Sequence, residues 1–324
     1  MAKGVSIEQT LTALTHLRAA GSAASGELQK HLTSKTNLIA AKAADLIREA
    51  NLKTLQPQLV EAFWRFMKDP SITDKGCGAK LAIANTLYEL GCDAQEVFLA
   101  GIRHVQKEAA WGKPIDTAAE LRGLCALGLV RMAYRDVMSE LVELLVDESH
   151  QSRIMAARAI AYAGRDEGAL LLRLKILTGD PIDDVTGECL IALAGLSRTK
   201  ALPFIRKYLD SPNPTLAESA ALAIGEMRDE SALTILLEQW QRDALPESRK
   251  TLALPIALSR LPRSLEFLLA AIATEPESVA GAAVEALAIY RHAEAPLARV
   301  KAAVEARRSP KLTAQFEKAL AGTV

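Results

Sequence analysis

Five histidines are the first place to look for acid–base or metal chemistry: His16, His31, His104, His150 and His292. None lies in an HExxH pair and none is followed by Glu, so the paired-ligand helical step of many metal sites is missing. Cys77, Cys92, Cys125 and Cys189 stand 15, 33 and 64 residues apart, with no CxxC pair and no zinc spacing. Cys125 and Cys189 fall in Ala/Leu-rich helical runs, where a free thiol behaves as a small hydrophobe. Cys77, between two glycines, is the thiol expected to be open to reagents. Its surroundings, Lys75-Gly-Cys-Gly-Ala-Lys80, superficially suggest a phosphate loop. They lack the GxxxxGK[ST] spacing, and no strand-like run precedes them. Glu140 with Glu143 and Asp183 with Asp184 are simplest as solvated faces or helix starts. No GxSxG elbow occurs and no cysteine has a recognisable histidine partner. The expectation is a chain with no catalytic residues, no metal and no cofactor, more simply a binder than an enzyme.

The elements that would position a binding surface are helices. The chain has 324 residues, half of them apolar, with 57 Ala, 48 Leu and only 14 aromatic residues. So apolar a chain can bury enough surface to offset its conformational entropy, which excludes a disordered protein. Lys plus Arg equals Asp plus Glu at 39 each, so nothing attracts nucleic acid or an anionic membrane globally. No apolar run approaches the roughly 18 residues that span a bilayer. Residues 1–6 lead into polar sequence without an apolar leader core. A cytoplasmic protein without membrane contact is expected.

A small–apolar–small pattern recurs near the middle of apolar helical runs. Its central residues are Leu46, Leu87, Leu127, Ile160, Leu193, Ile224, Ile256 and Leu287, spaced 41, 40, 33, 33, 31, 32 and 31 apart. Two helices and two turns need about this many residues. Each unit also has an earlier amphipathic run, such as 138–146, 201–209 and 231–240. Between the two runs sits an acidic turn, usually with proline, as at Asp69-Pro70, Asp147, Asp180-Pro181, Asp210 to Pro212, Asp243 to Pro246 and Glu275-Pro276. Seven positions before each central residue stand Lys80, Glu120, Arg153, Thr186, Ala217, Arg249 and Ala280. Arg135, Arg165, Arg198, Arg228, Arg260 and Arg291 form a second row after the second helices. Cations there meet the partial negative charge of a helix C-terminus, and a structural role is favoured over a basic edge for an acidic partner. No run reads as β-structure.

These units resemble HEAT repeats of the bacterial type, including those grouped with phycobilisome-lyase HEAT-like repeats. Residues 152–164 and 216–225 match the second-helix pattern, Asp147, Asp180 and Asp210 match its turn aspartate, and Arg153 and Arg249 match its second-helix arginine. Thr186, Ala217 and Ala280 depart from it. The likeness covers roughly residues 55–305. It implies an all-α fold, a right-handed α-α superhelix (α-solenoid) of about seven to eight helix pairs. Residues 1–54 would form an N-terminal helical cap, 55–305 the solenoid and 306–324 a C-terminal capping helix.

Function is expected where the repeat breaks or on the concave face. The long spacings place insertions near 70–77 and 107–116. The second holds Trp111 and Lys113; Trp111 is either a partner anchor or, more simply, folded back over adjacent helices. The concave-face candidates are Lys80, Glu120, Arg122, Arg158, Glu188 and Glu285. Together these predict a non-catalytic scaffold for a protein or peptide partner, with no prediction of oligomeric state. The resemblance implies an alternative, a HEAT-like enzyme akin to bilin lyases or to DNA glycosylases. Zero net charge and tryptophans far apart in sequence speak against nucleic acid.

Overall fold

The structure, a computed structural model, describes residues 6–243 and 245–321. The readings of residues 1–5 and of 322–324 lie outside the described residues. The chain divides between Ala163 and Gly164 into two compact units. The first holds α1 (Ile7–Leu17), α2 (Ser25–Leu32), α3 (Asn37–Glu49), α4 (Gln56–Phe66), the single turn α5 (Pro70–Thr73), α6 (Gly78–Glu89) and α7 (Gln95–Ile102). It continues through β1 (Lys107–Glu108), β2 (Ile115–Asp116), α8 (Ala119–Arg131), α9 (Val137–Leu145) and α10 (His150–Ala163). The second holds α11 (Asp166–Thr178), α12 (Asp183–Ser197), α13 (Leu202–Ile205), α14 (Pro214–Glu226) and α15 (Glu230–Arg242). It ends with α16 (Pro246–Leu258), α17 (Pro262–Thr274), α18 (Glu277–Leu287), α19 (Glu294–Arg307) and α20 (Pro310–Ala321).

Local chemistry sets many of these ends. Asn213 accepts the Thr215 amide and Pro214 occupies the first turn of α14, while Asp229 accepts the Ser231 and Ala232 amides at the start of α15. The second helices end in a shared way. Asn51, Gly91, Ala133, Gly164, Arg198, Arg228 and Arg260 all have positive φ. At the first three, the amides of Leu52, Cys92 and Tyr134 donate to the carbonyls of Ile47, Leu87 and Leu129, closing Schellman caps. The arginine row is therefore largely a row of helix ends, and it is not in register. Arg198, Arg228 and Arg260 occupy the positive-φ position, whereas Arg165 and Arg135 follow theirs by one and two residues.

The helices pair consecutively: α2 with α3, α4 with α6, α7 with α8 and α9 with α10 in the first unit. In the second, α11 pairs with α12, α13 with α14, α15 with α16, α17 with α18 and α19 with α20. Second helices then stack on second helices, α3–α6–α8–α10 in one unit and α12–α14–α16–α18–α20 in the other. This is the all-α, pair-stacked organisation of an α-solenoid, with nine pairs among the described residues. The row starts at α3, inside the segment expected to be a cap. No described helix is long and apolar enough to cross a membrane.

Burial supports the repeat and corrects one register. Leu46, Leu87, Ile160, Leu193, Ile224, Ile256 and Leu287 are buried. Leu127 is only half-buried, while Leu129 is fully buried and closes the α8 cap. Leu129 is thus the true central residue of α8, and Arg122, not Glu120, stands seven positions before it. The spacings become 41, 42, 31, 33, 31, 32 and 31. The expectation of no β-structure also fails locally: β1 and β2 form a two-residue antiparallel ladder, pairing Lys107 with Asp116 and Glu108 with Ile115.

Close approach of second helices rests on small residues. A Cβ added to Gly225 of α14 would lie 2.2 Å from the Pro255 carbonyl oxygen of α16, a backbone atom that cannot swing aside. Gly225→Ala should therefore lower stability by about 1–3 kcal/mol, as overpacking does, read as a lower urea midpoint at unchanged slope. Arg228→Gly should act oppositely, because glycine adopts positive φ without strain. A gain of about 1 kcal/mol is expected by thermal or urea unfolding.

Candidate interaction site

The first unit carries a polar centre inside its turns. Lys80 and Asp74, both 0% exposed, form an ion pair at 2.9 Å. Asp74 also accepts the amides of Ala79 and Lys80, capping α6, and its carbonyl accepts Gln106 Nε2 at 2.8 Å. One repeat later, Arg122, 2% exposed, donates to Asp116 Oδ2 at 2.6 Å, to Asp147 Oδ1 at 2.9 Å and to the His104 carbonyl at 2.9 Å. Its guanidinium fork spans two successive turns, as two oxygen acceptors on different segments require. Lys80 and Arg122 are thus internal braces. They must be removed from the expected binding face, because a buried, paired cation offers a partner nothing.

The hairpin is built on this centre. Glu108 Oε1 accepts from the Gly76 amide, Gln106 Nε2 and Thr117 Oγ1. The Thr117 amide donates to the Gln106 carbonyl. Burial works to raise the Asp116 carboxyl, but the Arg122 hydrogen bond and the amides of Ala118 and Gln106 outweigh it, so Asp116 titrates below the ordinary aspartate value. Glu108 is held low in the same way, burial being outweighed by its three donors. These bonds also settle the glycine loop. The Gly76, Ala79 and Lys80 amides that could cradle a phosphate are already held by Glu108 and Asp74. Cys77 is buried rather than open to reagents, and burial pushes its thiol up to about 12. His104 lies past the end of α7, not on a helix, and bonds Gln106.

On this braced base, residues 109–114 loop between β1 and β2, with Gly112 at φ 105°, a conformation that favours glycine. Trp111 is fully exposed at the loop, not folded back over neighbouring helices. Lys113 is exposed beside it, and Ile115 follows at 58% exposure. The flanking turns carry exposed apolar side chains too, Ile72 at 85% and Val146 at 72%. Side-chain bonds tie these turns together: Gly76 to Glu108 on one side, and Lys107 Nζ to Glu148 at 2.8 Å on the other.

The remaining candidates are scattered. Glu120 is exposed on α8 beside a groove of about 440 Å³ lined by Asp45, Leu81, Leu124, Leu127 and Met155. Arg158 is exposed on α10, and Glu188 is half-buried on α12. Glu285 is exposed on α18, in a groove of about 580 Å³ with Glu218, Glu247, Lys250 and Lys311. Asp74, Gln106, Glu108 and Asp116 were not singled out from sequence as parts of a site. A signal existed: an acid six residues before the second-helix cation, as in Asp74/Lys80, Asp116/Arg122, Asp147/Arg153 and Asp243/Arg249.

The class defined by this geometry is an α-solenoid of stacked helix pairs with a hairpin grafted on its turns. Residues 170–254 match a family of HEAT repeats. No curated protein matches it. Among solved structures, human deoxyhypusine hydroxylase is 19% identical, with 83% of this chain and 96% of that chain covered, at a TM-score of 0.35. An engineered protein is 15% identical over 100% and 97%, at 0.37. The CpcE–CpcF complex of phycocyanin lyase from Nostoc sp. is 16% identical over 80% and 94%, at 0.38.

Removing the brace should be costly. Arg122→Met leaves Asp116 and Asp147 without their shared cation, and a loss of about 3–5 kcal/mol is expected by urea unfolding at pH 7. The pH dependence has a definite sign. Asp116 and Glu108 bind protons less readily folded than unfolded, so their contribution is present above the ordinary carboxylate range, near pH 4. It is lost as pH falls through their lower folded values. Stability measured from pH 6 to pH 2.5 should fall on acidification, and Arg122→Met should flatten that fall.

Proposed function

We propose that this chain is a non-catalytic scaffold that binds a protein or peptide partner, with Trp111 as an anchor. The single observation that carries the reading is an indole held fully in solvent on a hairpin braced by a buried ion network. An unpinned loop would lose conformational entropy on binding; a braced one has already lost it in folding. Tryptophan is the side chain that most often dominates an interface, because it buries a large apolar area with few rotatable bonds. Ile72, Ile115 and Val146 supply apolar area on the same run of turns, and Lys113 a charge at the tip. HEAT repeats support this use without specifying it, since function lies in sites grafted on the fold.

Trp111→Ala tests the reading. The full chain and the variant are immobilised and used to capture partners from native lysate, with quantitative mass spectrometry of the eluates. The expected result is one stoichiometric protein whose recovery falls at least about tenfold in the variant, as loss of a hot spot of roughly 2 kcal/mol implies. Thermal stability should be unchanged, because the side chain packs on nothing. Equal recovery by both proteins, or an eluate holding only nucleic acid released steeply by salt, would overturn it.

A further inference from the structure

The ion braces recur along the chain, but Thr186, Ala217 and Ala280 stand where the other repeats carry a cation. Arg122 bridges the turn carboxylate of its own repeat, Asp116, and that of the next, Asp147. Arg249 donates to the carbonyl of its own turn residue Asp243 and to both oxygens of Glu275 in the next turn. Between these two the equivalent positions are Arg153, Thr186 and Ala217, the last on α14 immediately before Arg249 in the row. The turn of Ala217 carries Asp210 and the next turn Asp243.

A cavity of about 520 Å³ opens beside Ala217, lined by Asp210, Glu218, Gln239, Asp243 and Glu247 among others. Its charges are only partly balanced. Arg242 stands 3.8 Å from Asp210, and Lys250 pairs with Glu247 at 2.7 Å. The side-chain carboxylates of Asp243 and Glu218 have no hydrogen bond or ion pair among the described residues. A further group is left open. Gln239, nine-tenths buried, lends Oε1 to Arg242, while its Nε2 amide has no acceptor among the described residues. That amide lines the cavity and is open to it.

We infer that the cavity beside Ala217 is a guanidinium socket, in which an arginine of the protein partner takes the place of the missing brace. This rests on the scaffold reading and gives the partner a chemistry. The repeats themselves distinguish arginine from lysine. Lys80, in the equivalent position of an earlier repeat, forms an ion pair only with Asp74 of its own turn, whereas Arg122 spans two turns. A planar fork bridges two separated carboxylates; a point ammonium does not. A bare metal ion is a poorer occupant, since no three acidic, His or Cys side chains among the described residues converge in a metal-holding group. The peptide of an incoming arginine also carries carbonyls, which can accept the free Gln239 amide.

The test uses the full chain with ¹³C-methyl alanine and three probes: N-acetyl-arginine-methylamide, its lysine analogue and its uncharged citrulline analogue. The expected result is saturable shifts of the Ala217 and Ala221 methyls with the arginine probe. Lysine should bind at least about tenfold more weakly and citrulline not at all. Asp243→Asn should weaken the arginine probe about tenfold or more. Ala217→Arg should abolish its binding and raise the melting temperature, because the side chain then fills its own socket. No saturable shift, equal binding of citrulline, indifference to Asp243→Asn, or a destabilised Ala217→Arg protein would each overturn the inference. A failure here leaves Trp111-dependent capture untouched, and a failure of that capture leaves probe binding untouched.

Discussion

A cation six residues after a turn acid, buried between neighbouring helix pairs, is the interaction on which the first unit depends. A helix pair alone cannot cover its apolar faces; stacking buries them, but apolar contact does not say where along the stack each pair must stop. The ion braces do. Asp74 caps α6 and holds Lys80, and Arg122 ties the turn before α8 to the turn after α9. Such pairs cost desolvation, and replacing them with apolar groups need not destabilise a fold. The value of the Arg122 brace is directional, since its fork must find both Asp116 and Asp147 in place.

The hairpin follows from that constraint. The extra residues before α8 are absorbed by a strand pair whose hydrogen bonds run into the braces. Gln106 reaches Asp74, Glu108 reaches Gly76 and Thr117, and Asp116 serves both hairpin and brace. An insertion tied to buried charge can hold a tryptophan in water at a defined place. The second unit shows the other consequence of the repeat. Where alanine replaces the brace, the acids of two turns remain and a cavity opens between them. The brace thus supports a pinned projection in one unit, and its absence at Ala217 leaves an acid-lined cavity in the other.

Much of the architecture was legible in the sequence, for a physical reason. Period-3.6 apolar runs and a regular spacing near 32 residues follow from helices that bury one face against copies of themselves, so the helices and their pairing could be read from residues such as Ile160, Ile224 and Ile256. Helix-end arginines were also legible, since an exposed cation after a helix C-terminus has a local explanation. The register of α8 was not. Leu127 and Leu129 are both leucines in an apolar run, and only packing decides which one is buried. Trp111 was legible as a residue of interest but not as an exposed one, because a loop's side chains turn in or out according to what braces the loop.

The sequence by itself determined the class of fold, the repeat and the residues at each turn, because those depend on local periodicity and on short-range capping. Tertiary structure alone decided which charges face solvent. Lys80 and Arg122 each follow a turn acid by six residues, but only packing buries those pairs, and only the stacking of the next repeat brings Asp147, 25 residues on, to Arg122. Ala217 had no charge to notice at all. Its meaning comes from Asp210 and Asp243, which the stacking of α14 on α16 places around an empty position.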